Sequence, residues 1–137
     1  MSVPVNQRGE GKLTVLVKAN ELAVYTIQIC CNQNVFKPEY QSALTNDIIS
    51  TAKDVFVHAW TANGIHVGDS PERAAERRRL QEQAITDCST LLALIGIAHK
   101  LFHLPGKRVK YWGSMTIEVR RMLRAWRDSD GKRYPKR

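Results

Sequence analysis

Cysteine is scarce in this 137-residue chain: only Cys30, Cys31 and Cys88 occur. The count is odd and no CxxC pair is present. That argues against a disulfide framework and a structural zinc site, and fits a reducing, cytoplasmic setting. Eight glycines and five prolines are too few for the turns of a β-sandwich of this length. No uninterrupted apolar run approaches ~18–20 residues, so no membrane span is expected. The opening MSVPVNQRGEGK lacks the apolar core of a secretory signal. What remains is the balance of a globular protein, 43% hydrophobic and 25% charged, long enough for one domain with a core of its own.

The apolar spacing predicts four helices. Residues 1–11, with Pro4, Gly9 and Gly11, show no period and are read as a disordered lead-in. Over 13–33, Leu22, Tyr25 and Ile29 form a stripe that Val15, Ala23, Ile27 and Cys30 broaden. The β-branched content makes a strand the rival reading, but the polar residues do not alternate strictly, which favours helix. Pro38 suits the first position of a second helix. Its stripe is Leu44, Ile48, Ala52, Val55, Phe56 and Ala59, and Asn63-Gly64 ends it. The third helix has caps in Asp69 and Ser70, then Pro71 and Glu72. It continues through Leu80, Ala84, Cys88, Leu91, Ile95, Ala98 and Phe102 to a stop at Pro105-Gly106. The fourth runs from about Val109 to Asp128 with a seam of Trp112, Met115, Val119, Met122 and Trp126. Long amphipathic helices with short connections predict an all-α, antiparallel, up-down-up-down four-helix bundle over 12–129, followed by a basic tail over 130–137.

Catalytic signatures are weak. His99 and His103 are spaced as metal-binding pairs are, but Lys100 stands where a zinc protease motif has Glu, and helix-end cations are the simpler reading. No Glu-x-x-His motif of a di-iron bundle occurs. Cys30, Cys31 and Cys88 sit among apolar neighbours as small packing residues. Gly9-Glu10-Gly11-Lys12 lacks the spacing of a phosphate loop. The reading is a protein that is not an enzyme and needs no cofactor or metal.

Charge says more. Residues 107–137 hold eleven Lys and Arg against three acids, which accounts for the whole net charge of +8. Arg120, Arg124 and Arg127 fall on one helical face, with Arg121 beside them. Lys107, Arg108 and Lys110 precede the stripe, and Lys132 and Arg133 follow it. One-sided charge of this kind suits a polyanion, and Arg suits bidentate contact with phosphate. These nine residues are the candidate nucleic-acid contacts. The run Arg77-Arg78-Arg79 has Glu72, Glu76 and Glu82 for neighbours and reads mostly as a mixed, solvated face. With Trp112 and Trp126 on the apolar seam, backbone contact rather than base stacking is the expected mode.

Leu101-Phe102-His103-Leu104-Pro105-Gly106-Lys107, then Tyr111-Trp112 and Leu123-Arg124-Ala125-Trp126, together with Tyr25-Thr26-Ile27 and Leu91-Leu92-Ala93-Leu94-Ile95, carry a family likeness. Over roughly residues 20–130 the chain resembles the Avd proteins, the accessory variability determinants of diversity-generating retroelements. These lie within a wider group of four-helix-bundle proteins that includes those encoded in ribosomal RNA intervening sequences. The resemblance implies a homopentameric barrel with a basic surface and no catalytic activity of its own. It also implies association with a reverse transcriptase and its template RNA and cDNA, in support of mutagenic copying and retrohoming. It matches no RNA-contacting residue by motif. The alternative is a bundle adaptor or scaffold of the intervening-sequence type, without a reverse transcriptase partner.

Overall fold

The computed structural model describes residues 5–135, with side chains described from Thr14 onward. The expectations for residues 1–4 and for Lys136 and Arg137 lie outside the described residues. Four helices form the molecule: α1 (Val5–Cys30), α2 (Asn46–Asn63), α3 (Pro71–Phe102) and α4 (Gly106–Arg133). A 3-10 turn (Pro38–Tyr40) and a π turn (Gln41–Thr45) lead into α2, so the predicted second helix is helical from Pro38 but changes pitch twice. The expected all-α four-helix bundle is what the chain forms.

The strand alternative over 13–33 fails for a packing reason. Val15, Leu16, Ala19, Leu22, Ala23, Thr26, Ile29 and Cys30 are buried, a spacing of three and four that only a helix presents to one side. Burial of that face outweighs the β preference of its valines and isoleucines. α1 begins at Val5, inside the stretch read as a lead-in.

α3 begins as its sequence predicts. Ser70 Oγ accepts from the Arg73 amide at 3.2 Å, Pro71 occupies the first turn, and Glu72 complements the dipole. Its end differs from expectation. His103 takes the left-handed conformation, φ 54°, and closes the helix two residues before Pro105. The Pro105 carbonyl then accepts from the Arg108 and Val109 amides, so Pro105-Gly106 starts α4 rather than merely stopping α3. α4 also passes the predicted stop at Asp130-Gly131 and runs on to Arg133. Gly64 ends α2 at φ −77°, without using the freedom of glycine. Gly68, at φ 55°, does use it, in the α2–α3 loop.

Trp112 is wholly buried where α1 and α4 meet, and its indole Nε1 donates to Thr26 Oγ1 at 3.0 Å. Their chain neighbours Tyr25 and Tyr111 meet edge to face at 5.3 Å. The connection after α1 inserts Phe36 against Trp112 and Phe102, at 6.3 and 4.8 Å between centroids. Gln81 on Asp130 and Arg120 on Ser89 run α4 antiparallel to α3.

The seams are shifted slightly from expectation. Met115, Met122, Tyr25, Ile27, Phe56 and Phe102 are half-buried, while Thr26, Thr116 and Leu123 take interior places. Polar threonine is tolerated because both hydroxyls are bonded, Thr26 by the indole and Thr116 to the Trp112 carbonyl at 2.9 Å.

One further difference concerns α3. It contains a stretch long and apolar enough, by length and composition, to cross a membrane, of which 28% is buried in the bundle. No run is uninterrupted. The stretch qualifies because Asp87 and Lys100 are the only Asp, Glu, Lys or Arg between Ile85 and Phe102.

Trp112→Ala should cost ~3–5 kcal/mol in chemical denaturation, as a large buried aromatic does. Thr26→Val, which keeps the volume but leaves the indole N–H unpaired, should cost ~1–3 kcal/mol.

Candidate nucleic-acid interface

The predicted basic residues occupy three levels of α4 rather than one patch. Lys107, Arg108 and Lys110 lie in its first turns, Arg120, Arg121, Arg124 and Arg127 in its second half, and Lys132 and Arg133 at its end. At ~1.5 Å per residue the set is spread over roughly 40 Å.

The first level is exposed and has no acid in its turn. Beside it, α3 ends in His99, Lys100 and His103, which with Gly96 and Leu104 line an open hollow of about 640 Å³. Cations at the end of α3 are favoured by its dipole, but those at the start of α4 face the positive end of theirs, each at a cost of ~0.3–1 kcal/mol. A sequence chosen for helix stability alone would carry acids there.

The middle level lies along the flank of α4 that faces α3. Arg120 Nη1 donates to Ser89 Oγ at 3.1 Å. Arg124, four residues on, is exposed and has no acid partner among the described residues. Both guanidinium groups lie close enough to oppose the upward shift of the Cys88 thiol, which burial and then Asp87 push up to about 12. The other two are compensated. Arg127 pairs with Asp128 at 3.1 Å, and Arg121 pairs with Glu118 at 2.6 Å and turns toward the α1 side. The hydrogen bond from Arg121 holds the Glu118 carboxyl below the usual carboxylate range, and the nearby Lys18 adds to this. At the third level, Arg133 lies over the Tyr134 ring at 5.7 Å, and neither Lys132 nor Arg133 has an acid partner among the described residues.

The arginine run of α3 corrects the sequence reading at one position. Arg77 is not on a solvated face; it is 4% exposed. Its Nε donates to Asp130 Oδ2 at 2.6 Å, its Nη1 to the Ile65 carbonyl at 3.2 Å, and its guanidinium lies 5.2 Å from the centre of the Trp126 ring. Gln81 Nε2 adds a third donor to Asp130 at 2.7 Å. Arg78 and Arg79 do pair outward, with Glu82 and Glu76.

Two more features escaped the sequence reading. His58 Nδ1 lies 2.6 Å from Asp87 Oδ2 across the α2–α3 contact, in a half-buried pair. Burial pushes the Asp87 carboxyl above its ordinary value; the His58 bond opposes this and Asp54 adds to it. Of the adjacent thiols, Cys30 is buried and, chiefly by that burial, pushed up to about 12, while Cys31 is exposed. Among the described residues no three His, Cys, Asp or Glu side chains gather into a metal-ligand set.

By architecture this is an all-α four-helix-bundle protein with a graded basic helix at its edge. No protein-family model, no curated protein and no solved structure matches the chain.

Arg77→Met strands Asp130 among buried groups and should destabilise the fold by ~3–5 kcal/mol, while Arg77→Met with Asp130→Leu should recover most of that loss. Arg79→Gln, which removes only an exposed pair, should stay within ~1 kcal/mol. Urea melts of the three variants check the set.

Proposed function

We propose that this protein is a non-catalytic nucleic-acid-binding factor that holds RNA or cDNA by its phosphates, as an Avd-like accessory to the reverse transcriptase of a diversity-generating retroelement. One observation carries the reading: seven cations without acid partners among the described residues, Lys107, Arg108, Lys110, Arg120, Arg124, Lys132 and Arg133, recur along a single helix, three of them against its dipole. An isolated domain gains nothing from the three at the start of α4, whereas a phosphate backbone laid along the helix repays them. The four-helix architecture is consistent with the wider four-helix-bundle group and not with Avd proteins in particular; the sequence likeness alone suggests the reverse transcriptase partner.

We propose further that copies associate, with a homopentameric ring as the specific form. Ile97 and Leu101 on α3 are exposed together with Ala93 and Gly96, and Trp60 on α2 is 61% exposed beside Val57. Apolar surface of this kind supports contact with another chain. It equally supports the adaptor alternative, in which the bundle joins proteins and the basic helix serves solubility.

Replacing Arg120, Arg124 and Arg127 by Gln should weaken binding to two unrelated single-stranded RNAs of equal length to the same extent, since phosphate contacts do not read bases. The log–log salt slope should become shallower by about 2, at ~0.7 for each phosphate no longer neutralised. Lys53→Gln on α2 should leave both readouts unchanged. Wild-type protein with no salt-dependent RNA binding would turn the conclusion to the adaptor. Light scattering should give a closed oligomer with the mass of five chains; a monomer at micromolar concentration would remove the ring.

A further inference from the structure

A groove of about 710 Å³ runs between the start of α3 and the end of α4. That is within the range of small-molecule sites. It lies beyond the arginine flank facing Ser89 and Cys88 and shares Arg127 with it. Val67, Pro71 and Ala74 give it an apolar lining, and Arg78, Arg127 and Arg133 stand around it with the Tyr134 ring. Gly131 leaves room for Arg78, whose Nη1 would lie 3.4 Å from a Cβ at that position. Gln81 also borders the groove and is wholly buried. Its Nε2 is committed to Asp130, which fixes the amide orientation and leaves Oε1 as an acceptor. That Oε1 has no donor among the described residues.

Each feature constrains a ligand. Four arginines line the groove and call for an anion. Three have acid partners, Arg78 with Glu82, Arg79 with Glu76 and Arg127 with Asp128, but these are surface pairs that exchange at small cost. Of the groove's acids, Asp130 is already held by Arg77, which leaves Asp69 and, once Arg78 turns to an anion, the exposed Glu82. A tyrosine ring already covered by a guanidinium calls for a flat group that can take its place or lie against it. A buried acceptor without a donor is costly and calls for an N–H. Inorganic phosphate meets the first demand alone, and an acidic peptide has no flat ring to set on the tyrosine. A nucleobase carrying a phosphate meets all three.

We infer that this groove seats one nucleotide unit, its base against Tyr134 and toward Gln81 Oε1, its phosphate among Arg78, Arg127 and Arg133. The inference deepens the nucleic-acid reading and rests on it for the source of the nucleotide, a single strand whose backbone continues along α4. It departs from the expectation of backbone contact without stacking.

Adenosine 5′-monophosphate, inorganic phosphate and a short oligoadenylate, each titrated calorimetrically into the full chain, test this. The mononucleotide should bind measurably more tightly than phosphate. Tyr134→Ala should weaken it about tenfold, the scale of one lost base stack, and Tyr134→Phe should restore it. Ala75→Leu, which fills the groove from an exposed helical position, should abolish it with the melting temperature unchanged. Oligoadenylate binding should fall in the same two variants. Mononucleotide binding no tighter than phosphate, or indifferent to both substitutions, overturns the groove, and Arg120→Gln with Arg124→Gln, neither of which lines the groove, then still reports on RNA binding separately. A polyglutamate peptide that competes as well as the nucleotide overturns the base. Tight mononucleotide binding with none to the oligomer keeps the groove and removes the single strand as its source.

Discussion

The ion pair between Arg77 and Asp130 sets the far end of the bundle. Both groups are nearly out of water, which is costly unless every lone pair and proton finds a partner. Here most do: Arg77 bonds to both carboxylate oxygens and to the Ile65 carbonyl, while Gln81 adds a donor and the Trp126 ring covers the guanidinium. One cluster therefore joins α3, the end of α4 and the residue just past α2. It also explains why α4 continues beyond the glycine that was expected to stop it. Asp130 must be helical to point at α3, and the turn that follows is carried along with Lys132 and Arg133. The groove exists because this pair holds the two helix ends together while Gly131 and Ala74 put no bulk between them.

The opposite end is held by different physics. There the indole of Trp112 meets the hydroxyl of Thr26, with Phe36 and Phe102 packed around it. That end is apolar with one neutral hydrogen bond; the other is polar and charged. The difference places the two kinds of surface cation. At the aromatic end the helix terminus lies bare with Lys107, Arg108 and Lys110 outside it. At the ionic end one arginine turns inward and its neighbours Arg78 and Arg79 face out.

The element types were legible in the sequence, because a spacing of three and four over several turns has no other reading in long segments. Ser70 and Pro71 showed where α3 begins, because a cap is a local event. The ends of α4 were not legible from local signals. Pro105-Gly106 serves as a stop or a start with equal ease, and Asp130-Gly131 looks like a turn unless its tertiary partner is known. That partner was within reach. Arg77 continues the stripe of Leu80, Ala84 and Cys88 backwards, and Asp130 continues Val119, Leu123 and Trp126 forwards. Extending each apolar stripe by one place would have put an acid and a base in one core. Treating the three arginines as a single run hid this, since on a helix they point about 100° apart.

The same lesson governs the charge. A net count assigns all of +8 to residues 107–137 and treats each cation alike. The structure divides them. Arg121 and Arg127 are balanced by near neighbours, Arg120 rests on Ser89, and Asp130, counted as an opposing acid, is already neutralised by Arg77 from another helix. Removing the internal pairs moves the surface excess toward the two ends of α4. An anion drawn to this protein therefore meets positive potential at both ends of a rod of roughly 40 Å, with Arg124 between them. A compact anion can satisfy one end only. An extended polyanion, with charges spaced along its length, satisfies all three positions at once.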